Sequence, residues 1–264
     1  MPLADYHVHT SLCNHATGSM RQFVEHAVML GLDEMAFLDH LTLAPGGQRL
    51  SMSAHELGLY YLAARRLSRQ YEGRIRVRIG IEIDFFPQAM DQARELCRRF
   101  DFDVLTASVH FLDGWNMVSH KTQDSSPFKD PCAMAERYLD ALESLLDDPF
   151  FDVIGHLDIF KKFSGRAAQV SRPRMAGVIE KIAKAGLCVE INTSGLRHGA
   201  EEIYPSADWL EGLARAGVGV TLGSDAHAPK DVGRAFDKAT DLLLRCGHTH
   251  FTVFSRREPQ RIAL

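Results

Sequence analysis

Seven short apolar segments of this chain each finish, at or just past their C-terminal edge, in residues able to hold a metal ion or a phosphate. They end in Asp5-Tyr6-His7-Val8-His9, Leu38-Asp39-His40, Ile81-Glu82, Ser108-Val109-His110, Gly155-His156, Glu190-Ile191-Asn192 and Gly223-Ser224-Asp225-Ala226-His227. Segments of helical period separate them, so the chain reads as βα repetition. In a parallel barrel the strand C-termini converge on one face, and barrel enzymes carry their chemistry there. Histidines at the same phase of successive units would share one rim. The pattern predicts a polynuclear metal site.

The repeat can be followed unit by unit. Ser19 to Leu30 opens on a cap-like serine, sets Met20, Phe23, Val24, Ala27 and Val28 on one face, and stops at Gly31. Ser53 to Tyr71 sets Leu57, Tyr60, Tyr61, Ala64 and Leu67 at helical spacing. Further helices are expected over Ala89 to Arg99, Pro131 to Leu146, Arg172 to Ala185, Ser206 to Ala216 and Asp231 to Cys246. Strands are expected at Glu34 to Leu38, Arg76 to Phe85, and near 103–109, 152–155, 187–191 and 218–223. About seven βα units result, followed by a terminal strand around His250 to Phe254. No Pro/Gly/Ser linker divides the chain, so residues 1–264 read as one domain. The irregular stretches Thr42 to Met52 and Leu112 to Lys129 directly follow expected ligands and read as loops over the site.

Composition narrows the partners. A length of 264 residues allows a full barrel core, and 45% hydrophobic with 24% charged residues is an ordinary soluble profile. A net charge of −4 gives no reason to expect a nucleic-acid polymer or an anionic membrane. Attraction for an anionic small molecule must then come from the site itself. The five cysteines are odd in number and lack CxxC spacing, which reads as reduced thiols of a cytoplasmic protein. Neither a signal peptide nor a membrane-spanning run is expected. The sequence leaves the oligomeric state open.

His7 and His9 lie at i and i+2 on a strand, so both imidazoles face one side. Asp225 and His227 repeat that spacing at another strand end. With His15, His40, Glu82, His110 and His156 they make nine residues, enough for three ions with three or four ligands each. Imidazole and carboxylate without thiolate favour Zn, Mn or Fe. Glu82 could bridge two ions. Cys13, between His9 and His15, is an alternative ligand or neighbour that a nine-member set does not need. Asp39 could orient a ligand or point away from it. His26, His55, His248 and His250 read as ordinary surface or core histidines. His120 and His198 follow site loops and read as structural before substrate-contacting. Lys161-Lys162 reads as a solvated charged turn, with phosphate steering as the alternative.

The motifs DYHVHTSLCNHA, LDH, GIEIDFFP, SVHF, GHLD and GSDAH, in this order between residues 5 and 227, resemble those of the PHP (polymerase and histidinol phosphatase) superfamily. INTSGLR, Ile191 to Arg197, and SVHFLDGW, Ser108 to Trp115, resemble its stand-alone histidinol-phosphate phosphatases more narrowly. The run Gly114-Trp115-Asn116-Met117-Val118-Ser119-His120 departs from the usual pattern after the His110 motif, which puts substrate identity in question. The resemblance implies a distorted (β/α)7 barrel, an α/β fold, with a trinuclear centre at the strand C-termini. One ion would take His7, His9, Glu82 and Asp225. A second would take Glu82, His110 and His156, and the third His15, His40 and His227.

The activity implied is metal-dependent hydrolysis of a small phosphate monoester, histidinol phosphate in histidine biosynthesis before a nucleotide or other ester. A non-catalytic metal-holding protein is the reading from a different class. Phosphoryl transfer needs a water made acidic by metal and charge to hold the non-bridging oxygens. The planar fork of Arg197 suits the second task. Asp225 and His227 stand nearest for assisting the leaving alkoxide. Asp84, Phe85, Phe111 and Trp115 adjoin ligands, and offer a carboxylate and aromatic walls to an ammonium and an imidazole.

Overall fold

The apolar runs pair side by side in the order in which the chain makes them. The computed structural model describes residues 4–148 and 150–264. Strands β1 (Ala4–Val8), β2 (Glu34–Leu41), β3 (Arg76–Asp84) and β4 (Val104–Ser108) come first. A small antiparallel excursion follows, β5 (Phe111–Leu112) with β6 (Trp115–Asn116). Then come β7 (Val153–Ile154), β8 (Cys188–Asn192) and β9 (Val220–Gly223). One parallel sheet takes the order β1-β2-β3-β4-β7-β8-β9. Its edges meet through a parallel bridge of Val8 with Ala226, His9 N–H donating to Ala226 O at 3.0 Å and Ala226 N–H to His7 O at 3.1 Å. The result is a nearly closed seven-stranded barrel, as the βα rhythm predicts.

Helices α1 (Met20–Met29), α2 (Leu57–Gln70), α3 (Met90–Cys97), α4 (Pro131–Leu146), α5 (Arg172–Ala185), α6 (Ala207–Arg215) and α7 (Phe236–Arg245) each follow a barrel strand. Local chemistry sets their ends. Ser19 and Gln22 form a capping box on α1, while Asp130 caps α4 ahead of Pro131. Gly186 ends α5 at φ 70°, a left-handed turn that glycine adopts without a Cβ penalty. The inward stripes, such as Phe23, Val24 and Ala27 of α1, join the strand side chains in one buried core.

At the N-terminal end of the strands, buried Glu34 receives Tyr6 Oη–H, Arg76 Nε–H at 2.6 Å and Arg78 Nε–H at 2.9 Å. A C-terminal hairpin, β10 (His250–Ser255) with β11 (Glu258–Ala263), closes this end. Tyr6 Oη ties it on, accepting from Phe254 N–H at 2.6 Å while Phe254 O lies 2.9 Å away.

Two helix starts shift, and strands β5, β6 and β11 are additions. Helix α2 begins at Leu57, because Glu56 folds back to Ser53 N–H and closes a turn there. Helix α7 begins at Phe236, because Gly233 (φ 65°) and Ala235 (φ 58°) take left-handed backbone that interrupts a helix from Asp231. Strand β11 is an addition; its mostly exposed residues carry no buried alternation to read. The two irregular stretches hold 3-10 turns at Gly47–Leu50 and His120–Ser125. No helix among the described residues is long and apolar enough to cross a membrane.

Candidate metal centre

All nine expected ligands converge at the C-terminal mouth of the barrel. His7, His9, Glu82 and His156 form its floor, at most 1% exposed, while His15, His40 and His227 lie toward solvent. Glu82 is the hub. Its Oε2 stands 2.8 Å from His40 Nδ1, 3.4 Å from His7 Nε2 and 3.7 Å from His9 Nε2, and its Oε1 3.0 Å from His156 Nε2. His9 Nε2 is 3.1 Å from Asp225 Oδ1, His110 Nε2 3.2 Å from His156 Nε2, and His15 Nε2 2.9 Å from His227 Nε2. His7-His9-Glu82, His40-Glu82-His110 and His15-His40-His227 each bring one donor atom per residue within 4.8 Å of the others. Glu82 thus belongs to two groups, as a bridging carboxylate would. His40 also belongs to two, beyond the single set expected for it.

The far side of most rings is committed, and this decides which nitrogen faces inward. His15 Nδ1 meets Cys13 O at 2.7 Å, and His227 Nδ1 meets Asp225 O at 3.1 Å. His110 Nδ1 meets Asp84 Oδ1 at 2.8 Å, and His7 Nδ1 meets Glu190 Oε1 at 2.5 Å. In each case Nδ1 holds the hydrogen bond, which leaves Nε2 as the nitrogen turned to the centre. Two ligands sit on left-handed backbone, His156 (φ 23°) and Asp225 (φ 53°). Non-glycine residues adopt it infrequently, and it is among the local costs that functional sites can carry.

These residues fit metal ions. His7 Nε2, both nitrogens of His9 and Glu82 Oε2 are fully buried yet make no well-aligned hydrogen bond, although His40 and Asp225 bring polar atoms within 2.8 Å of Glu82 Oε2 and 3.1 Å of His9 Nε2. Buried polar atoms without partners are costly, and a cation would satisfy these together. Charge balance points the same way. Burial pushes the Glu82 carboxyl up, but His40, His7 and His110 outweigh it and hold it well below the usual carboxylate range. Asp225 is likewise raised by burial and lowered further by His7 and His9. Burial, reinforced by His40, brings His15 down to about 4, and burial with His9 depresses His227 well below the imidazole range. Both rings are therefore neutral near pH 7, the form that ligates.

The residues expected to touch substrate are distributed differently. Asp84 is buried and fully engaged: Oδ1 accepts from His110 N–H at 3.2 Å as well as from its ring, and Oδ2 accepts from Thr42 Oγ1–H. These contacts turn both oxygens to His110 and Thr42, neighbours other than the ammonium expected for it. Phe85 is partly buried against the core. Phe111 and Trp115 lie on the β5–β6 hairpin directly after His110, Phe111 against the Gly47 turn. Trp115 packs at a tilt against Phe128 and donates Nε1–H to Thr122 O at 2.9 Å, so much of it serves loop packing. Arg197 overlies the Asp225 turn, donating Nη2–H to Ser224 O at 3.2 Å and Asp225 O at 3.1 Å, and its Nη1 pairs with Asp231 at 3.1 Å.

Lys161 and Lys162 do not form a solvated turn. Lys161 is 4% exposed and pairs with Asp158 at 2.7 Å and Glu202 at 2.8 Å. Lys162 Nζ donates to Val118 O at 2.9 Å, pinning the long loop to the barrel. Burial lowers its pKa, against the pull of Asp225 and with Arg197 nearby. His198 borders this rim as a neutral ring, brought down to about 4 by burial and then by Lys162. Cys13 Sγ lies within 4.8 Å of His9 and His227 ligand atoms, and accepts from Ala16 N–H at 3.2 Å. Asp39 holds Thr10 through N–H and Oγ1–H, and His40 N–H at 2.9 Å, steadying both ligand segments.

Two further residues were not assigned from sequence. Ser108 Oγ–H donates to Glu82 Oε1 at 2.6 Å, and Glu190 supports His7. The signal for Glu190 was present: a carboxylate inside the buried run CVEIN needs a partner.

The fold and the site define the class. The chain belongs to the PHP domain family, whose model matches residues 5–194. Among its relatives, a probable histidinol-phosphatase of Deinococcus radiodurans is 32% identical over 260 residues, 97% of this chain and 98% of that protein. The histidinol-phosphatase of Bacillus subtilis is 26% identical over 93% of this chain and all of its own. The crystal structure of histidinol phosphate phosphatase from Lactococcus lactis, complexed with zinc, L-histidinol and phosphate, matches with a TM-score of 0.84. It covers 98% of each chain at 22% identity, a likeness of fold.

Proposed function

We propose that this chain is a metal-dependent phosphatase that hydrolyses L-histidinol phosphate to L-histidinol and phosphate, a step of histidine biosynthesis, with residues 1–264 acting as one domain. The observation that carries the chemistry is the cluster of buried, unpartnered ligand atoms around Glu82 at the barrel mouth. The relative that is 32% identical over nearly its whole length supports the substrate. Three divalent ions, Zn, Mn or Fe, are the complement we assign to the three ligand groups. His7, His9, Glu82 and Asp225 would hold one. Glu82, His110 and His156, with His40 in reach, would hold another, and His15, His40 and His227 the third. Such ions lower the pKa of a bound water and offset charge on the phosphoryl oxygens.

The chain's own residues supply the rest. Arg197 and Lys162 line the rim beside Asp225 and hold the phosphate oxygens electrostatically. Asp225 is ionised and His227 has committed its Nδ1–H to a carbonyl, so they serve as ligands before they serve as acids. Phe111 and Trp115, on the hairpin beside His110, wall the space left for the imidazole of the substrate. The small substrate and five unbridged cysteines suit a cytoplasmic setting. The test is phosphate release by metal-reconstituted protein, with histidinol phosphate beside a panel of nucleotides and sugar phosphates. A kcat/KM for histidinol phosphate far above the panel is expected. Preference for another ester would overturn the substrate, and no release with any metal would overturn the enzyme.

A further inference from the structure

Glu190 is a buried carboxylate with three neighbours, all of them donors. Its Oε1 meets His7 Nδ1 at 2.5 Å, and its Oε2 accepts from His156 N–H at 2.8 Å and Asn192 Nδ2–H at 3.1 Å. The amide of Asn192 cannot turn round, because its Oδ1 accepts from Ser194 N–H at 2.9 Å and Ser194 Oγ–H at 2.6 Å. Only an acceptor-only group satisfies this ring of donors, and an ionised carboxylate is the side chain of that kind. The backbone makes room for it. A Cβ at Gly223 would fall 2.0 Å from Glu190 Oε1 and 2.7 Å from His7 Cβ.

We propose that Glu190 is a positioning residue that fixes His7 in the Nδ1–H tautomer, leaving Nε2 as a lone pair aimed at the metal centre, with Gly223 kept side-chain-free for that pairing. The proposal rests on the metal-centre reading. Through His156 N–H the same carboxylate also holds a second ligand on its left-handed backbone. One group thus joins three strand ends, β1, β7 and β8.

The consequence is specific to hydrogen-bond polarity. In Glu190→Gln the amide has one acceptor and one donor end. If the acceptor faces His7, the NH2 meets the His156 and Asn192 donors. If it faces them, the NH2 meets His7, which must then protonate Nε2 and lose its inward lone pair. Loss of such outer partners weakens metal binding roughly 10–100-fold.

The experiment titrates metal-free protein with Zn2+ against a chromophoric chelator, and reads the ring tautomer of His7 by 15N NMR in the metal-free state at alkaline pH, where the ring is neutral despite the carboxylates beside it. Wild type should show Nδ1–H at His7, while E190Q should show a changed tautomer population and one ion held roughly 10–100-fold more weakly. Gly223→Ala, which keeps the carboxylate but takes its space, should weaken the same ion and carries the test if E190Q does not fold. An unchanged His7 tautomer and unchanged Zn2+ affinity in the folded variants would overturn the proposal. If wild type itself binds no metal, the metal-centre reading falls and the proposal with it, a result distinct from wild-type binding that the variants preserve.

Discussion

At the scale of single residues, the site is a set of side chains whose roles are assigned by what holds their far ends. Arg197 is the residue whose role separates recognition from scaffold. Its guanidinium spans two carbonyls of the Asp225 turn and pairs with Asp231, with donors left over for phosphate. Arg197→Ala should raise KM and lower kcat/KM, by roughly 10²-fold for loss of a charge-stabilising donor, measured in steady-state phosphate release. Arg197→Lys should recover little, because the fork is lost while the charge remains. Asp84 poses the converse case. Both its oxygens serve His110 and Thr42; in Asp84→Asn the Thr42 hydroxyl can turn to accept the amide, so what is lost is the negative charge facing His110 Nδ1–H. Metal affinity should fall roughly 10–100-fold in a competition titration. A change in KM with metal affinity intact would return Asp84 to the substrate, the role its place in the sequence suggests. The nine ligands were legible because imidazoles and carboxylates at the ends of apolar strands are chemically out of place. Glu190 was not assigned, because its meaning depends on His7, 183 residues away.

At the scale of elements, the βα rhythm was legible wherever one face is buried, since burial imposes the periodicity that sequence displays. It failed where burial is absent or local backbone intervenes. Strand β11 is mostly exposed, and the start of α7 is displaced by left-handed turns at Gly233 and Ala235. The hairpin that contains β11 nonetheless has a defined anchor. Tyr6 Oη donates its one hydrogen to Glu34 and accepts from Phe254 N–H, with Phe254 O also in reach at 2.9 Å. Tyr6→Phe would leave the Phe254 N–H and a Glu34 oxygen without this partner. The expected cost is about 1–3 kcal/mol for the buried groups left unmet. Urea denaturation of the variant should show that loss. Metal content should be unchanged, because the phenol of Tyr6 faces Glu34 and the C-terminal hairpin although Tyr6 adjoins His7 in β1; lost metal would mean that this network and the metal centre are coupled.

At the scale of the whole molecule, the barrel has one seam, and the metal centre lies across it. β1 and β9 are not ladder partners in the sheet; they meet through the Val8–Ala226 bridge. Asp5 reinforces that meeting, accepting from Ser224 N–H at 3.0 Å, Ser224 Oγ–H at 2.5 Å and Gly233 N–H at 2.9 Å. His7 and His9 come from one side of the seam, Asp225 and His227 from the other, with His9 Nε2 only 3.1 Å from Asp225 Oδ1. Ions shared between these residues would therefore cross-link the two ends of the sheet. Binding to the folded state alone adds about 2.7 kcal/mol per site at a ligand concentration one hundred times Kd. Chelation should lower the Tm, and re-addition of Zn2+ or Mn2+ should restore it. The loss should also be local. Hydrogen exchange in the metal-free protein should quicken first around residues 5–16 and 224–233, ahead of the β2–β3–β4 ladder, which is paired on both sides of β3. Uniform acceleration would show that the ions stabilise the barrel as a whole, and no acceleration would show that the Asp5 network holds the seam unaided.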